Sequence, residues 1–279
     1  MYQRNSLFVI DNLVFIPILQ DSEVRKERFI EATHSITIAH HQLYYRTAGQ
    51  GSPLVLIHGF GVSGHIWQLM LPYLAQRHQV FIVDLPGYGK STFTPPWRLR
   101  EMAPLLITWL QELNLSSVAL VGQSMGGAIA LHISASAPEL VERIVLISAA
   151  GIPLNAQLSH LALRSIRSFF QQGNGSYPSG LIQDVLRPRP LLFWQTAQEM
   201  VHSDFRAEIA AVKIPALIIW GKQDVLLPVS LGQALHAALP RATFIILPDS
   251  GHRPMLAHPE LLSTMVLDFL AEGKSNSKL

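Results

Sequence analysis

Short, continuous apolar segments alternate along the chain with longer segments of helical period. Six of the apolar segments end in turn residues: PLVLIHG, QVFIVDLPG, SVALVG, RIVLISAAG, PALIIWG and ATFIILP. Strands that are apolar on both faces are typical of a parallel sheet buried between two layers of helices. Two earlier segments, SITIA and QLYYRTA, predict an opening hairpin.

Segments of helical period fill the gaps between these strands. They predict helices over residues 64–76, 98–113, 124–137, 229–239 and 259–271. A repeated strand–helix–strand order predicts an α/β fold with right-handed crossovers and helices on both faces of the sheet.

One long segment, residues 152–212, departs from this alternation. It contains helical pieces such as LSHLALRSIRSFF and PLLFWQTAQEMV but no convincing strand, and it is too long for a simple loop. We interpret it as a helical cap inserted over one edge of the sheet. The predicted domains are then an N-terminal extension (1–35), a core (36–151 and 213–272), the cap (152–212) and a flexible C-terminal tail (273–279).

Both ends of the chain carry apolar or motif-like segments. Residues 7–19 are apolar but are interrupted by Asp11, Asn12 and Pro17, and they are too short to cross a bilayer. We expect an extension that packs on the domain or on a second subunit, with contact to a membrane surface as the weaker alternative. Ser277-Lys278-Leu279 matches a peroxisomal address if the source is eukaryotic; otherwise we expect a cytoplasmic protein.

Composition and charge narrow the classes of function. The chain has 279 residues, of which 49% are hydrophobic and 14% charged, and its net charge of +2 comes from scattered side chains. This distribution argues against a nucleic-acid interface. The chain has no cysteine and no H-E-x-x-H motif, so we expect neither a disulfide nor a metal site.

The motif VGQSMGG, residues 121–127, follows one of the predicted strands. It contains G-x-S-x-G with Ser124 between Gly122 and Gly126. Such a serine is a nucleophile when it lies on a sharp turn from strand to helix, where glycines leave room on both sides. The pattern is short, and a serine also needs a base and an orienting acid.

Candidates for the base and the acid come from later strand ends. His252 lies in a turn after the last apolar strand, and Asp224 follows the preceding one. The strand ending LISAAG offers no carboxylate, which removes an alternative position for the acid. Asp224 is favoured as the acid; Asp249, three residues before His252, is a weaker candidate that can instead cap the turn locally.

The segment GFGVSG, residues 59–64, allows two interpretations. It is a complete G-x-G-x-x-G after a strand, and Asp84 ends the next strand, as in a dinucleotide-binding site. Alternatively, the backbone N–H groups of Phe60 and Met125 form an oxyanion hole for acyl transfer. The second interpretation is favoured because the first leaves the serine, acid and histidine candidates unrelated. His58 and Asp84 then brace the loops.

Five motifs in this order resemble the α/β-hydrolase superfamily, in particular its serine esterases and meta-cleavage-product hydrolases. They are LVLIHGFG, DLPGYGKS, LVGQSMGGAIAL, IIWGKQD and SGHRPMLAHPELL, and the resemblance covers residues 36–271. It implies an α/β-hydrolase fold with a mostly parallel eight-stranded sheet and a helical cap inserted after strand 6. It also implies a catalytic triad of Ser124, Asp224 and His252, with no cofactor.

The expected activity is hydrolysis of small to medium apolar carboxylic esters through an acyl-enzyme on Ser124, so the expected partner is a small-molecule ester. Four cap residues are candidates for the pocket wall: Phe169, Phe170, Phe193 and Trp194. Packing within the cap is the alternative role for them.

Other activities on the same fold remain open. One is hydrolysis of carbon–carbon bonds in meta-cleavage products, although Arg253 follows His252 where those relatives usually carry tryptophan. Perhydrolase activity uses the same triad, and a slow-turnover ligand receptor or accessory protein is a candidate of another class.

Overall fold

The computed structural model describes most of the chain. It covers residues 31–92, 98–153 and 190–272, the backbone of 8–10 and 13–15, and the single residues Arg164, Ser168, Gly180 and Asp184. The predicted tail at 273–279 lies outside the described residues, as does its tripeptide Ser277-Lys278-Leu279, so the peroxisomal address stays a prediction.

The described residues form one sheet of ten strands. These are β1 Phe8–Ile10, β2 Leu13–Phe15, β3 Ala32–Ile38, β4 His41–Ala48, β5 Ser52–Ile57, β6 His78–Asp84, β7 Val118–Gln123, β8 Val141–Ile147, β9 Ala216–Gly221 and β10 Ala242–Leu247. Their spatial order is β1-β2-β10-β9-β8-β7-β5-β6-β4-β3. Strands β5 to β10 pair in parallel, and the hairpin β3–β4 joins β6 in antiparallel fashion. The predicted eight-stranded, mostly parallel sheet is confirmed in β3 to β10.

The sequence pattern does not predict the two N-terminal strands. β1 and β2 pair antiparallel, and β2 adds to β10 in parallel, with Leu13 opposite Phe244. The described part of the N-terminal extension therefore lies on the same sheet. β3 begins at Ala32, ahead of the predicted boundary at residue 36. In the described part of the chain, no helix has the length and apolar character that crossing a membrane requires.

Helices cover both faces of the sheet. They are a short 3-10 helix Gly64–Trp67, then α1 Leu71–Leu74, α2 Leu99–Glu112, α3 Met125–Ser136, α4 Pro190–His202, α5 Arg206–Ala211, α6 Val229–Ala238, α7 Pro254–Ala257 and α8 Pro259–Ala271. The predicted helix over 64–76 is instead two short helices. Pro72 lies in the first turn of α1, and because proline lacks an N–H it cannot continue the preceding helix.

The sheet separates two apolar clusters. On β5, Val55 packs in one cluster with Trp109 of α2, and Leu56 packs in the other with Trp67. Successive side chains of a strand point to opposite faces, so both faces of β5 are buried. Apolar side chains therefore cover both faces of the sheet. The polar residues predicted to form the site lie instead at the carboxyl ends of the strands, where open α/β sheets bind ligands.

Segment 152–212 contains α4 and α5 and, among its described residues, no strand. The hydroxyl of Tyr88 donates a hydrogen bond of 3.1 Å to Thr196 Oγ1 on α4. On α5, Glu208 forms an ion pair with Arg100 of α2. These contacts attach the segment to the loop after β6 and to α2. Its boundaries and its role as a cap stay predictions.

Candidate active site

Ser124 lies on a sharp turn between β7 and α3. Its backbone has φ 52° and ψ −116°, in a region that residues other than glycine rarely adopt. The turn is held in place because Ala150 N and Gly127 N both donate to Ser124 O at 2.9 Å. A strained strand-to-helix turn of this kind presents the serine side chain at the edge of the sheet.

The glycines around Ser124 are required by close backbone contacts. A Cβ at Gly122 would lie 2.4 Å from Gly126 O, and one at Gly126 would lie 2.2 Å from Ile57 O. Neither oxygen can move without shifting backbone. The two glycines of G-x-S-x-G therefore let α3 start directly against β5 and β7, which explains the motif physically.

Asp224 and His252 are joined by a hydrogen bond. Asp224 follows β9, His252 follows β10, and His252 Nδ1 lies 2.8 Å from Asp224 Oδ2. The other carboxylate oxygen, Oδ1, accepts the N–H groups of Leu226 at 2.9 Å and Leu227 at 2.8 Å. Both side chains are buried. Since a carboxylate accepts hydrogen bonds, Nδ1 carries the ring proton and Nε2 is left as the acceptor.

The alternative acid, Asp249, does not approach His252 Nδ1. Asp249 is exposed, and its backbone oxygen is the atom that lies 3.4 Å from His258 Nε2. Of the two carboxylates considered from the sequence, the structure brings Asp224 to the histidine.

Gln123, directly before Ser124, connects the elbow to the histidine loop. Its buried side chain donates from Nε2 to His252 O at 3.2 Å. Among the described residues the hydrogen bond of the His252 ring is the one to Asp224, and none joins it to the Ser124 side chain. Sequence reasoning missed Gln123; its place beside the serine was the available signal.

The loop after β5, residues 58–63, is hereafter the β5 loop. It contains Phe60 and is packed against the start of α3, because a Cβ at Gly126 would also lie 2.7 Å from His58 O. Met125, the first residue of α3, is fully buried. The structure therefore places the loop of Phe60 next to the helix start that carries the Met125 N–H.

His58 and Asp84 brace the loops, as predicted. His58 Nδ1 donates to Gly59 O at 2.8 Å and its Nε2 accepts Leu85 N–H at 2.9 Å. Burial lowers the pKa of His58, against the raising effect of Asp84. The imidazole thus serves as a neutral link between the loops that follow β5 and β6.

The carboxylate of Asp84 contradicts the dinucleotide interpretation of GFGVSG. Its two oxygens accept Gly64 N–H and Lys90 N–H, each at 2.9 Å. The preceding amide, Ser63 N, donates to Asp184 Oδ2 at 3.0 Å. In a dinucleotide site these amides would face a pyrophosphate, and the acid would hold a ribose hydroxyl. Here the chain's own carboxylates occupy them.

The predicted pocket residues are only partly described. Phe169 and Phe170 lie outside the described residues, and of Phe193 only the backbone, in α4, is described. Trp194 on α4 is 61% exposed, whereas Leu192 and Thr196 on the same helix are buried. The part of α4 that packs inward is therefore the Leu192–Thr196 face.

Within the described chain no three His, Asp or Glu side chains gather as metal ligands would.

Comparison with known proteins identifies the family. Residues 54–264, more than half of the chain, match the model of the alpha/beta hydrolase family. The chain belongs to this family. The geometry described above, with a strained serine between β7 and α3 and a histidine after the last strand, is that of an alpha/beta hydrolase, and the resemblance inferred from the five motifs is confirmed.

Individual relatives of this alpha/beta hydrolase include two esterases. A pimeloyl-[acyl-carrier protein] methyl ester esterase of Photobacterium profundum is 30% identical over 82% of this chain and 98% of its own. One of Pectobacterium atrosepticum is 28% identical over 81% of this chain and 98% of its own. The crystal structure of an esterase from Exiguobacterium antarcticum superposes with a TM-score of 0.75 at 21% identity, over 85% of this chain and 98% of the other, which shows the common fold.

Proposed function

We propose that this alpha/beta hydrolase is a serine esterase that cleaves small to medium apolar carboxylic esters through an acyl-enzyme on Ser124. The observation that carries the proposal is the hydrogen bond between His252 and Asp224, at the strand ends beside the strained serine. The names of the two relatives support an ester, and in particular a methyl ester, as substrate.

Proton transfer follows from the orientation of His252. Because Nδ1–H is donated to Asp224, Nε2 can accept the proton of Ser124 Oγ as that oxygen attacks the ester carbonyl carbon. Nε2 then gives this proton to the leaving alcohol oxygen as the carbon–oxygen bond breaks. A water molecule repeats the sequence on the acyl-enzyme, releasing the carboxylic acid and regenerating the serine.

Stabilisation of the oxyanion is assigned to two backbone groups, the N–H of Phe60 in the β5 loop and that of Met125. Met125 begins α3, whose N-terminal end adds a favourable dipole to the same negative charge. Donors that are already fixed before reaction stabilise the transition state more than the substrate. The close contact of Gly126 with β5 keeps the two donor segments together.

Turnover of p-nitrophenyl acetate, butyrate, octanoate and laurate tests the proposal. We expect the wild type to hydrolyse the shorter esters, and Ser124→Ala to lose about 10⁴-fold or more in kcat. Ser148→Ala is the matched control, since Ser148 is also a buried serine with positive φ at a strand end. It should keep activity and fluorophosphonate labelling.

Three results would contradict the proposal. Turnover that survives Ser124→Ala removes Ser124 as the nucleophile. Labelling of Ser124 by a fluorophosphonate without turnover of any ester points instead to the receptor alternative, and turnover of a vinylogous diketone in preference to esters points to a carbon–carbon hydrolase.

A further inference from the structure

A polar cluster, in which Ser63 and Asp184 are buried and His65 is partly exposed, lies between the β5 loop and the segment predicted as a cap. Asp184 Oδ2 accepts the backbone N–H of Ser63 at 3.0 Å and also the Ser63 hydroxyl. His65 Nδ1 lies 2.9 Å from Ser63 Oγ and 3.5 Å from the same carboxylate oxygen. Residues 63 and 184 are far apart in sequence, so these contacts join separate parts of the chain.

The cluster holds an ionised carboxylate inside the protein. Ser63 is fully buried, and the Asp184 side chain is only 8% exposed. Burial by itself raises the pKa of Asp184, but its polar contacts with His65 and Ser63, together with the electrostatic attraction of the nearby histidines, outweigh it, so the pKa lies below its usual value. Removing the carboxylate would leave a buried amide and a buried hydroxyl without their acceptor, which is costly.

The three side-chain types match those of the proposed triad, but the arrangement cannot activate a nucleophile. The Ser63 hydroxyl donates its single proton to Asp184, so His65 Nδ1–H donates to Ser63 Oγ rather than accepting from it. His65 also turns the same nitrogen toward both partners, whereas a relay uses one ring nitrogen for each. The cluster is therefore a structural link.

The link acts on the segment that carries Phe60. Ser63 is joined to Phe60 through Gly61, which has φ 76°, and through buried Val62. The next amide, Gly64 N, is held by Asp84 at the end of β6. Two consecutive amides are thus fixed by two carboxylates, one from the sheet and one from the 152–212 segment.

A second contact of the same segment supports the link. Gly180, four residues before Asp184, lies against the His65 ring: a Cβ there would be 2.4 Å from His65 Cδ2. A larger residue at position 180 would therefore displace the His65 ring. Both described residues of this stretch, Gly180 and Asp184, contact the 63–65 turn.

We propose that Asp184 is a positioning residue for the oxyanion hole: from the 152–212 segment it fixes Ser63, and through Ser63 it sets the place of the Phe60 N–H donor. This inference rests on the proposed function. An oxyanion donor acts mainly in the transition state, so its displacement lowers kcat and leaves KM nearly unchanged. A residue that only closed the pocket over the substrate would change KM instead.

The test compares Asp184→Ala, Asp184→Asn and the control Asp204→Ala on p-nitrophenyl butyrate. Asp204 is the matched carboxylate because it lies in the same segment and is hydrogen-bonded to Arg206, away from the β5 loop. We expect Asp184→Ala to lose about ten- to a hundredfold in kcat with KM within about twofold. Asp184→Asn keeps an acceptor oxygen for Ser63 N–H and should recover most of the loss, and Asp204→Ala should match the wild type.

A boronic acid that binds covalently to the active-site serine gives the independent readout. Its tetrahedral adduct places an oxygen in the oxyanion hole, so its affinity should fall in parallel with kcat in Asp184→Ala. Unchanged kcat, or a rise in KM alone, overturns the positioning role. Equal losses in Asp184→Ala and Asp204→Ala also overturn it, because they indicate general loosening of the segment.

A second variant guards against misfolding of Asp184→Ala, and the activity of the wild type separately tests the proposed function. If Asp184→Ala does not fold, Ser63→Ala applies the same test, since it removes the hydroxyl that bonds Asp184 and His65 but keeps the Ser63 amide. We expect a kcat loss of about threefold to tenfold for that variant, and wild-type kcat would overturn the inference. Absence of esterase activity in the wild type contradicts the proposed function itself, whereas an active wild type with active variants contradicts only this inference.

Discussion

Replacing Asp224 by asparagine should hold His252 in the wrong tautomer. Asp224 Oδ1 accepts two backbone N–H groups, from Leu226 and Leu227, and Oδ2 faces His252 Nδ1. An asparagine has one acceptor oxygen, which the two amides retain, so its NH₂ group must face the imidazole. Because that group only donates, Nδ1 becomes the acceptor and the ring proton moves to Nε2.

The expected loss of activity follows from the position of the ring proton on Nε2 of His252. With Nε2 protonated, His252 has no lone pair to accept the Ser124 hydroxyl proton, and we expect kcat to fall about 10⁴-fold, or about 5.5 kcal/mol in the barrier. Stability should change far less, by about 1 kcal/mol, because the hydrogen bonds from the Leu226 and Leu227 amides persist.

Steady-state hydrolysis of p-nitrophenyl butyrate at neutral pH measures the effect, with urea unfolding as the check on stability. Asp249→Asn is the control, because Asp249 is exposed and lies three residues before His252 without facing its Nδ1. We expect Asp249→Asn to stay within about threefold of the wild type. A loss under about tenfold for Asp224→Asn, or a larger loss for Asp249→Asn, would refute the assigned role of the acid.

Three further predictions concern the surroundings of the site. Gly126→Ala places a methyl group 2.2 Å from the backbone oxygen of Ile57. We expect the free energy of unfolding to fall by about 2 kcal/mol and the Tm by about 4–8 °C. An unchanged melting curve in circular dichroism would contradict this prediction. Burial lowers the pKa of His58 and of His132 from 6.5, so below that pH the unfolded chain binds more protons than the folded one. The free energy of unfolding should then fall with decreasing pH, by up to about 1.4 kcal/mol per pH unit for buried His58 and by less for partly exposed His132, whose charge is screened by solvent. Urea unfolding at several pH values measures this slope, and His58→Gln should reduce it. Gln123→Leu removes the donor to His252 O and should lower kcat about tenfold; kcat equal to that of the wild type would exclude a role for the amide.

Strands β5 to β10 and the three proposed catalytic side chains could be predicted from the sequence for one physical reason. Apolar runs buried on both faces mark where a parallel strand ends, and the candidates for nucleophile, acid and base lie directly after such ends. The structure brings Asp224 to His252 because β9 and β10 are adjacent in the sheet. Adjacency of strand ends needs no knowledge of long-range packing once the fold class is known.

The two N-terminal strands and one helix break escaped prediction. β1 and β2 contain three residues each, too few for a periodicity to distinguish a strand from any other apolar stretch. The break between the 3-10 helix and α1 depends on Pro72, which a pattern of apolar spacing does not register.

The β5 loop shows why a motif alone did not settle the chemistry of the site. G-x-G-x-x-G specifies a backbone whose N–H groups point outward after a strand, and such groups bind any anion of suitable shape. The sequence cannot tell whether the anion is a phosphate or a carboxylate of the same chain. Here Asp84, which completes the fingerprint, accepts Gly64 N–H, and Asp184 accepts Ser63 N–H across a separation of 121 residues. An acid at the same sequence position therefore has a different role in the two folds: in a dinucleotide-binding site it leaves the amides to the cofactor, whereas here Asp84 itself accepts one of them.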